Sequence, residues 1–115
     1  MGDPWLWLLD DTGLWHEVTE ATVARCPPWR FRGFGHSREL FAACDAVAGE
    51  PALWPQVLLM DFFLHGERGD QVVRALRARG GVQPRRLVAH SSTSVGNAAI
   101  LMAGADCQVR KASED

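Results

Sequence analysis

Short apolar runs alternate along the chain with segments whose apolar residues recur at helical spacing. The runs have the length of β-strands and are flanked by proline, glycine or polar residues. They are Trp5–Leu9, Trp29–Phe34, Val57–Met60, Arg86–His90 and Cys107–Arg110. The second run is less apolar than the others, as is typical of a strand near the edge of a sheet. The pattern therefore predicts five strands.

Helical periodicity fills the four intervals between these runs. The apolar positions are Leu14, Val18, Ala21 and Val23; then Leu40, Phe41, Cys44 and Val47; then Val72, Val73 and Leu76; and finally Val95–Ala103. The pattern stops each time at helix-breaking residues, namely Pro27-Pro28, Gly49, Gly80-Gly81 and Gly104. Strict alternation of strands and helices predicts parallel crossovers of one hand, and hence a three-layer α/β sandwich. Residues 1–115 are expected to form a single domain.

Polar residues follow the predicted strands at the points where the strands end. Asp10-Asp11 follows the first strand, Asp61 the third and Ser91 the fourth, while Lys111 follows the fifth. In an open parallel sheet, functional residues gather beyond the carboxyl ends of the strands, where the strand order reverses. We therefore expect three carboxylates, a hydroxyl and an ammonium group to meet at one edge of the sheet.

A cluster of three carboxylates requires a compensating cation. Two like charges about 4 Å apart repel by about 4 kcal/mol at an intermediate effective dielectric constant. Oxygen ligands without a histidine or cysteine pair indicate Mg²⁺, which accepts one or two carboxylates together with waters and a phosphate oxygen. The combination of carboxylate, Mg²⁺ and lysine is typical of phosphoryl transfer, with Asp61 as nucleophile and Lys111 neutralising charge on the phosphoryl oxygens.

Composition excludes several other classes of function. The 115 residues are 47% apolar and carry a formal net charge of −2, and the positive residues form no stripe interleaved with aromatic residues. Nucleic-acid binding by this domain is therefore not expected. The sequence shows neither a signal peptide nor a membrane-spanning segment, which favours a cytoplasmic protein. Three cysteines without metal-ligand spacing indicate reduced thiols rather than disulfides or zinc ligands.

Taken together, these motifs resemble those of response-regulator receiver domains, and the resemblance covers nearly the whole chain. Five features carry it in the family's order and spacing. They are Asp10-Asp11, the block from Asp61 to Gly69, Ser91, Gly104-Ala105-Asp106 and Lys111. The resemblance implies a flavodoxin-like fold whose five parallel strands lie in the order 2-1-3-4-5.

The same resemblance assigns roles to the residues at the expected site. Asp61 would accept a phosphoryl group from a histidine kinase or a phosphotransfer protein of a two-component system or phosphorelay. Asp10, Asp11 and Asp61 would hold Mg²⁺ with the main-chain carbonyl of Phe63. Ser91 would hydrogen-bond the phosphoryl group and Lys111 would pair with it, so that phosphorylation biases a bistable loop. Enzymatic activity would be limited to phosphorylation and dephosphorylation of the domain itself.

Several positions depart from the family pattern. His65 stands where a proline is usual, and we expect it to be an exposed loop residue. Gln108 stands where receivers commonly carry a switching aromatic residue. Ala112 replaces a proline, and the short remainder predicts a fifth helix that is short or absent. Three explanations compete for the missing helix: the sequence is a piece of a longer protein, the domain pairs with a second copy of itself, or another chain or domain, such as an output domain, packs there. We favour an interface at the face left uncovered.

Three classes of function remain open at this point. The complete set of acids, serine and lysine favours a working phosphoacceptor domain. The missing aromatic residue and the missing helix favour a pseudo-receiver, a docking module whose interactions no longer depend on phosphorylation. A small-molecule binder of flavodoxin type fits the fold, but Gly33-Phe34-Gly35 is too short for a dinucleotide-binding loop.

Overall fold

Five parallel strands form the central sheet of this computed structural model, which describes residues 2–111. The strands of the chain are β1 (Trp5–Leu9), β2 (Arg30–Phe34), β3 (Pro55–Met60), β4 (Phe63–Leu64), β5 (Glu67–Arg68), β6 (Arg86–Ala89) and β7 (Cys107–Gln108). The helices are α1 (Gly13–Ala24), α2 (Ser37–Val47), α3 (Gly69–Arg79) and α4 (Ser94–Ala103), with a short 3₁₀ helix at Pro51–Leu53. All five predicted strands and all four predicted helices are present.

The central sheet has the strand order β2-β1-β3-β6-β7. When only these five strands are numbered along the chain, without the hairpin strands β4 and β5, this is the predicted order 2-1-3-4-5. All four neighbouring pairs are parallel, and the fold is the predicted flavodoxin-like α/β sandwich. The order reverses at β1, because the chain adds β2 on one side of it and β3 on the other. The carboxyl ends of β1 and β3 therefore form the switch point at which such sheets hold their functional residues.

One face of the sheet carries the hydrophobic core. Alternate strand residues point to the same face, and the residues that point to this one are almost completely buried. They are Trp7, Leu9, Leu58, Met60, Leu87 and Ala89. Three helices cover them with the apolar sides that the sequence predicted, including Leu40 of α2, Val73 of α3 and Ile100 of α4. Burial of this set supplies most of the hydrophobic stabilisation of the fold.

The opposite face is covered, within residues 2–111, by α1 alone. The helix turns Thr19 and Val23 toward the sheet, whereas Leu14 and Val18 are 57% and 43% exposed. The sequence predicted this helix from Leu14, Val18, Ala21 and Val23, and the helix is present. The apolar pattern is real, but most of it lies on the outer surface of the helix.

Two smaller differences separate the structure from the prediction, one in the loop after Asp61 and one in the fifth strand of the sheet. The loop after Asp61 contains an antiparallel hairpin, in which β4 pairs with β5 and Gly66 adopts a positive φ of 78° in the turn. The fifth strand of the sheet ends at Gln108 rather than at Arg110. Residues 112–115, where the fifth helix was expected to be short or absent, lie outside the described residues. No helix among the described residues is both long enough and apolar enough to cross a membrane.

Candidate functional site

Three carboxylates converge beyond the ends of β1 and β3, as the sequence predicted. One carboxylate oxygen from each of Asp10, Asp11 and Asp61 lies within 4.8 Å of the others. Asp10 is fully buried and Asp61 is 4% exposed, whereas Asp11 is exposed to solvent. Two of the three acids are therefore held away from water, and the third forms the solvent side of the cluster.

Lys111 is brought to this cluster from the other end of the chain. Its Nζ lies 2.7 Å from Oδ2 of Asp10 and 3.1 Å from Oδ1 of Asp61. The lysine is 9% exposed, and its backbone N–H donates to the Ser91 carbonyl at 3.1 Å. A single ammonium group thus bridges two buried carboxylates, and the backbone beside β6 fixes its position.

One positive charge does not neutralise three carboxylates. Burial, followed by the charge of Asp10, raises the pKa of Asp61 to about 6, even though Lys111 acts in the opposite direction. At neutral pH Asp61 is ionised, but at a cost in free energy. The three residues offer carboxylate oxygens, and such hard donors suit Mg²⁺. Asp10, Asp11 and Asp61 therefore fit a divalent cation in both charge and chemistry.

Local hydrogen bonds orient Asp10 at the end of β1. Its Oδ1 accepts the backbone N–H of Thr12 at 2.9 Å and also the Thr12 hydroxyl. The main-chain carbonyl of Asp10 accepts a hydrogen bond from the Nε2–H of His16, in α1, at 2.7 Å. Since Oδ1 is taken by Thr12 and Oδ2 by Lys111, the side chain is fixed at both oxygens. Thr12 also precedes the first residue of α1, so the start of that helix and the site share one turn.

The predicted site residue Ser91 is fully buried at the end of β6. Its backbone is clamped by Asn97 of α4, whose Oδ1 accepts the Ser91 N–H at 2.9 Å and whose Nδ2 donates to the Ser91 carbonyl at 3.2 Å. A Cβ added to Gly96 would lie 2.7 Å from the Ser91 hydroxyl and 3.0 Å from Cβ of Phe62. The first turn of α4 therefore packs directly against Ser91 and the residue that follows Asp61.

The segment after Asp61 is held against the site by its backbone. The Phe62 N–H donates to Oδ1 of Asp61 at 2.9 Å, and the Gly69 N–H donates to the Phe62 carbonyl at 2.8 Å. A Cβ at Gly69 would overlap the carbonyl oxygen of Asp61, so this position accepts only glycine. The Phe63 side chain is 61% exposed. The role of its carbonyl as a metal ligand stays a prediction.

The same segment is joined to α2 by Glu67. The Glu67 carboxylate accepts the N–H of Ser37 at 2.8 Å and the Ser37 hydroxyl at 2.6 Å. Nε2 of His36 lies 3.6 Å from this carboxylate. His65, which occupies the turn of the hairpin, is exposed as expected and takes no part in these contacts. The hairpin after Asp61 is therefore anchored to the first turn of α2.

Two aromatic residues beside the site were missed in the sequence. The Trp15 ring lies 5.3 Å from Nζ of Lys111, and its edge meets the His90 ring at a centroid distance of 5.4 Å. Burial, and after it Lys111, lower the pKa of His90 below its usual value, which favours the neutral form of the ring. In the structure Trp15 shares the inner side of α1 with Thr19 and Val23, at spacings of four and eight residues. The sequence does not single it out, because Leu14 and Val18 make the other side of the helix equally apolar.

Solved structures superpose well on this chain. No protein-family model matches the sequence, and no curated protein matches it. Among solved structures, the phosphorylated cyanobacterial phytochrome response regulator RcpA superposes with a TM-score of 0.80 at 16% identity, over 98% of this chain and 84% of that chain. A mutant receiver domain of the histidine kinase CKI1 from Arabidopsis thaliana gives a TM-score of 0.78 at 14% identity, over 95% and 81% of the two chains.

A third similar structure contains a metal ion. It is the receiver domain of the sensor histidine kinase PA1611 from Pseudomonas aeruginosa, with magnesium coordinated in the active-site cleft. It superposes with a TM-score of 0.72 at 19% identity, over 98% of this chain and 88% of that chain. The strand order, the helices and these superpositions agree: the chain has the fold of the receiver domains found in response regulators and histidine kinases.

Proposed function

We propose that this domain is a phosphoacceptor receiver, in which Asp61 accepts a phosphoryl group in a Mg²⁺-dependent reaction. The observation that carries the proposal is the convergence of Asp10, Asp11 and Asp61 around one point with Lys111 bridging two of them. A domain used only for docking has no physical need for such a cluster, because burying two carboxylates beside one ammonium group lowers stability. The arrangement is explained if the site binds a cation and a phosphoryl group.

Asp61 is placed to act as the nucleophile. It ends a central strand, and its Oδ1 is held by the Phe62 N–H and by Lys111. Attack by a carboxylate oxygen on phosphorus would give an acyl phosphate on Asp61, with the donor's leaving group departing from the opposite side. Its pKa of about 6 leaves most of the carboxylate ionised at neutral pH, which attack requires.

The other residues would bind and orient the incoming group. When bound by Asp10, Asp11 and Asp61, Mg²⁺ would supply charge neutralisation for the phosphoryl oxygens. Lys111 would exchange its contact with Asp61 for one with the phosphoryl group. Ser91 would hydrogen-bond the same group, and its attachment to Lys111 and to Asn97 of α4 gives phosphorylation a route to the loop after β6.

The proposed partners follow from this chemistry. A histidine kinase or a histidine phosphotransfer protein would donate the phosphoryl group. An output partner or output domain would bind one state of the loops around Asp61 more tightly than the other. The domain itself would have no further enzymatic activity beyond self-phosphorylation and loss of the phosphoryl group, and it would act in the cytoplasm.

One observation favours a second candidate, the pseudo-receiver that binds partners without phosphorylation. Gln108 ends β7 as an exposed polar residue. A buried-to-exposed aromatic switch at this position is therefore not available to the domain. If phosphorylation switches this protein, the response must pass through Lys111, Ser91 and α4 instead.

The experiment that separates the candidates is intact-mass analysis after incubation with a small phosphodonor such as acetyl phosphate. We expect a single phosphoryl adduct that requires Mg²⁺ and is absent from Asp61→Asn, which keeps the size and shape of the side chain. Asp70→Asn is a matched control, because Asp70 is also buried but is paired with Arg68 and Arg74 away from the site. No adduct on a folded wild-type protein would refute phosphoacceptance and favour the pseudo-receiver.

A further inference from the structure

The face of the sheet beneath α1 is only half covered by the described residues. Strand register places Leu6, Val57 and Arg86 in one row of this face, and Leu8, Leu59, Val88 and Cys107 in the next. Leu8 and Val88 are buried, but Leu6, Val57 and Leu59 remain partly exposed. An apolar sheet face that meets solvent is unfavourable, and a patch of this kind marks an interaction surface.

A groove runs along the uncovered half, next to α1. Its volume is about 240 Å³, and it is lined by Leu6, Thr22, Val23, Cys26, Trp29 and Val57. At one end Trp29 and Val57 also adjoin Arg85 and Arg86, and Arg25 follows α1 near Cys26. These three arginines are exposed and form no ion pair among residues 2–111. The groove is therefore apolar in the middle and positively charged at its border.

The outer side of α1 is the complement of this groove. Leu14, Val18 and Ala21 are exposed there at spacings of four and three residues, which places them in one stripe. Glu17 and Glu20 lie on the exposed part of the same helix, and neither forms an ion pair within the described residues. The helix thus presents an apolar ridge bordered by negative charge.

We propose that two copies of this domain associate through these faces, with α1 of each copy lying in the groove of the other. The ridge and the groove lie side by side on one surface, so a twofold axis between them brings each ridge onto the partner's groove. A twofold interface requires such self-complementarity. The contact would bury Leu14 and Val18 against Leu6, Val57 and Leu59. It would also bring Glu17 and Glu20 near Arg85 and Arg86 of the partner copy.

The first test is the oligomeric state of the unphosphorylated chain across a wide range of concentration, measured by sedimentation velocity. We expect a reversible dimer. Val18→Glu should weaken it by more than about tenfold, because a carboxylate would enter the apolar contact. Met102→Glu is the matched control, since Met102 is 86% exposed on α4, and it should leave the dimer unchanged. A monomer at every concentration would overturn the proposal, as would a dimer lost in Met102→Glu but kept in Val18→Glu.

Charge reversal tests the orientation of the two copies. One variant carries Glu17→Arg and Glu20→Arg, so that its ridge and its groove are both positive. The other carries Arg85→Glu and Arg86→Glu, so that both are negative. Each should be monomeric alone, and an equimolar mixture should restore a dimer containing one copy of each. Failure of the mixture to associate, with both variants folded by circular dichroism, would rule out the proposed pairing of ridge and groove.

Cys26 provides a local measurement that does not depend on any substitution. It is exposed in the single copy and lines the groove. Its rate of alkylation by iodoacetamide, followed by peptide mass analysis, should fall as the protein concentration rises through the dimerisation range. An unchanged rate in a protein that does dimerise would place the interface elsewhere and contradict the proposal.

Discussion

Three strands of the central sheet end with an apolar residue followed at once by a polar one, and the two are buried to nearly the same extent. Leu9, Met60 and Ala89 are fully buried, and the next residues, Asp10, Asp61 and His90, are 0%, 4% and 7% exposed. The first set packs among apolar side chains of the core. The second set lies among charges, where burial is unfavourable unless each group finds a partner. At the end of each strand, a residue whose burial stabilises the fold is therefore followed directly by a residue whose burial is unfavourable and places a polar group at the site.

The buried carboxylates of the site lower the stability of the fold because they share a single cationic partner. Lys111 is the only cation within 4 Å of Asp10 and Asp61 among residues 2–111. The polar member of each pair depends on a few specific contacts. Removing one of these contacts should change how much that residue adds to or subtracts from the free energy of unfolding.

The largest effect is expected from Lys111→Met. The substitution keeps much of the length and removes the charge, so that Asp10 and Asp61 stay buried without a positively charged partner. Loss of one member of a buried ion pair costs about 4 kcal/mol, so the free energy of unfolding at pH 7 without Mg²⁺ should fall by about that amount. Urea denaturation measures it. The cost should be smaller in an Asp61→Asn background, where only Asp10 loses a charged partner, and equal costs in the two backgrounds would show that the lysine is not held by Asp61.

A somewhat smaller loss is expected on the apolar side of the same boundary. Met60→Ala removes a fully buried side chain from the core and should cost about 3 kcal/mol. Met60→Leu, which conserves most of the volume, should cost less than about 1.5 kcal/mol. These costs should not change with pH between 4 and 7, since no titratable group is removed. A strong pH dependence of the difference would show that the core and the site are not energetically separate.

Asp61→Asn is expected to stabilise the metal-free domain. The pKa of Asp61 rises from 3.8 to about 6 on folding, so the native state binds more protons than the unfolded state between these values. The stability contributed by the protonated form is fully present below 3.8 and is lost as the pH rises through 6. At pH 7 the variant should gain about 3 kcal/mol over the wild type, and near pH 3.5 the gain should vanish.

Comparison of the two proteins at each pH isolates Asp61. His90 titrates with the opposite sign, because its lowered pKa reduces stability as the pH falls, but it is common to both proteins. Thermal unfolding in EDTA over this pH range measures the difference. If Asp61→Asn were less stable than the wild type at pH 7 and the deficit did not change with pH, the carboxylate would be stabilising and the electrostatic account would fail.

The smallest change in metal-free stability is expected at Asp11. Its side chain is exposed, so Asp11→Asn should alter the free energy of unfolding by less than about 0.5 kcal/mol in EDTA. Its effect should appear only with the metal. Saturating Mg²⁺ should raise the melting temperature of the wild type, as expected for a ligand that binds the native state. It should raise that of Asp11→Asn less at the same concentration. An equal rise would remove Asp11 from the set of proposed ligands.

The sequence predicted the strands and the residues that follow them because both signals are local. An apolar run that ends in aspartate, serine or lysine can be recognised without knowledge of its neighbours. The orientation of α1 could not be predicted in this way, because its two sides are about equally apolar. Leu14 and Val18 are as hydrophobic as the residues that face the sheet, and only the packing of Trp15, Thr19 and Val23 against the strands decides between them.

The contacts that complete the site are also absent from any local pattern. Trp15 meets Lys111 and Glu67 meets Ser37 across long separations in sequence, and the hairpin after Asp61 consists of only two residue pairs. The fold class follows from periodicity, but these contacts follow from where the strands place unrelated segments. The proposed roles of Ser91 and of the Phe63 carbonyl stay predictions until a phosphoryl group or a metal ion is observed at the site.

Trp15 lies where its fluorescence should report on changes at the site. Its ring lies 5.3 Å from the ammonium group of Lys111 and against the His90 ring. Indole emission depends strongly on charges and on proton donors nearby. Any event that draws Lys111 toward a group on Asp61 would therefore change the fluorescence of a residue that takes no part in the chemistry. Replacing Trp15 by phenylalanine would remove that signal and leave the four other tryptophans as the background.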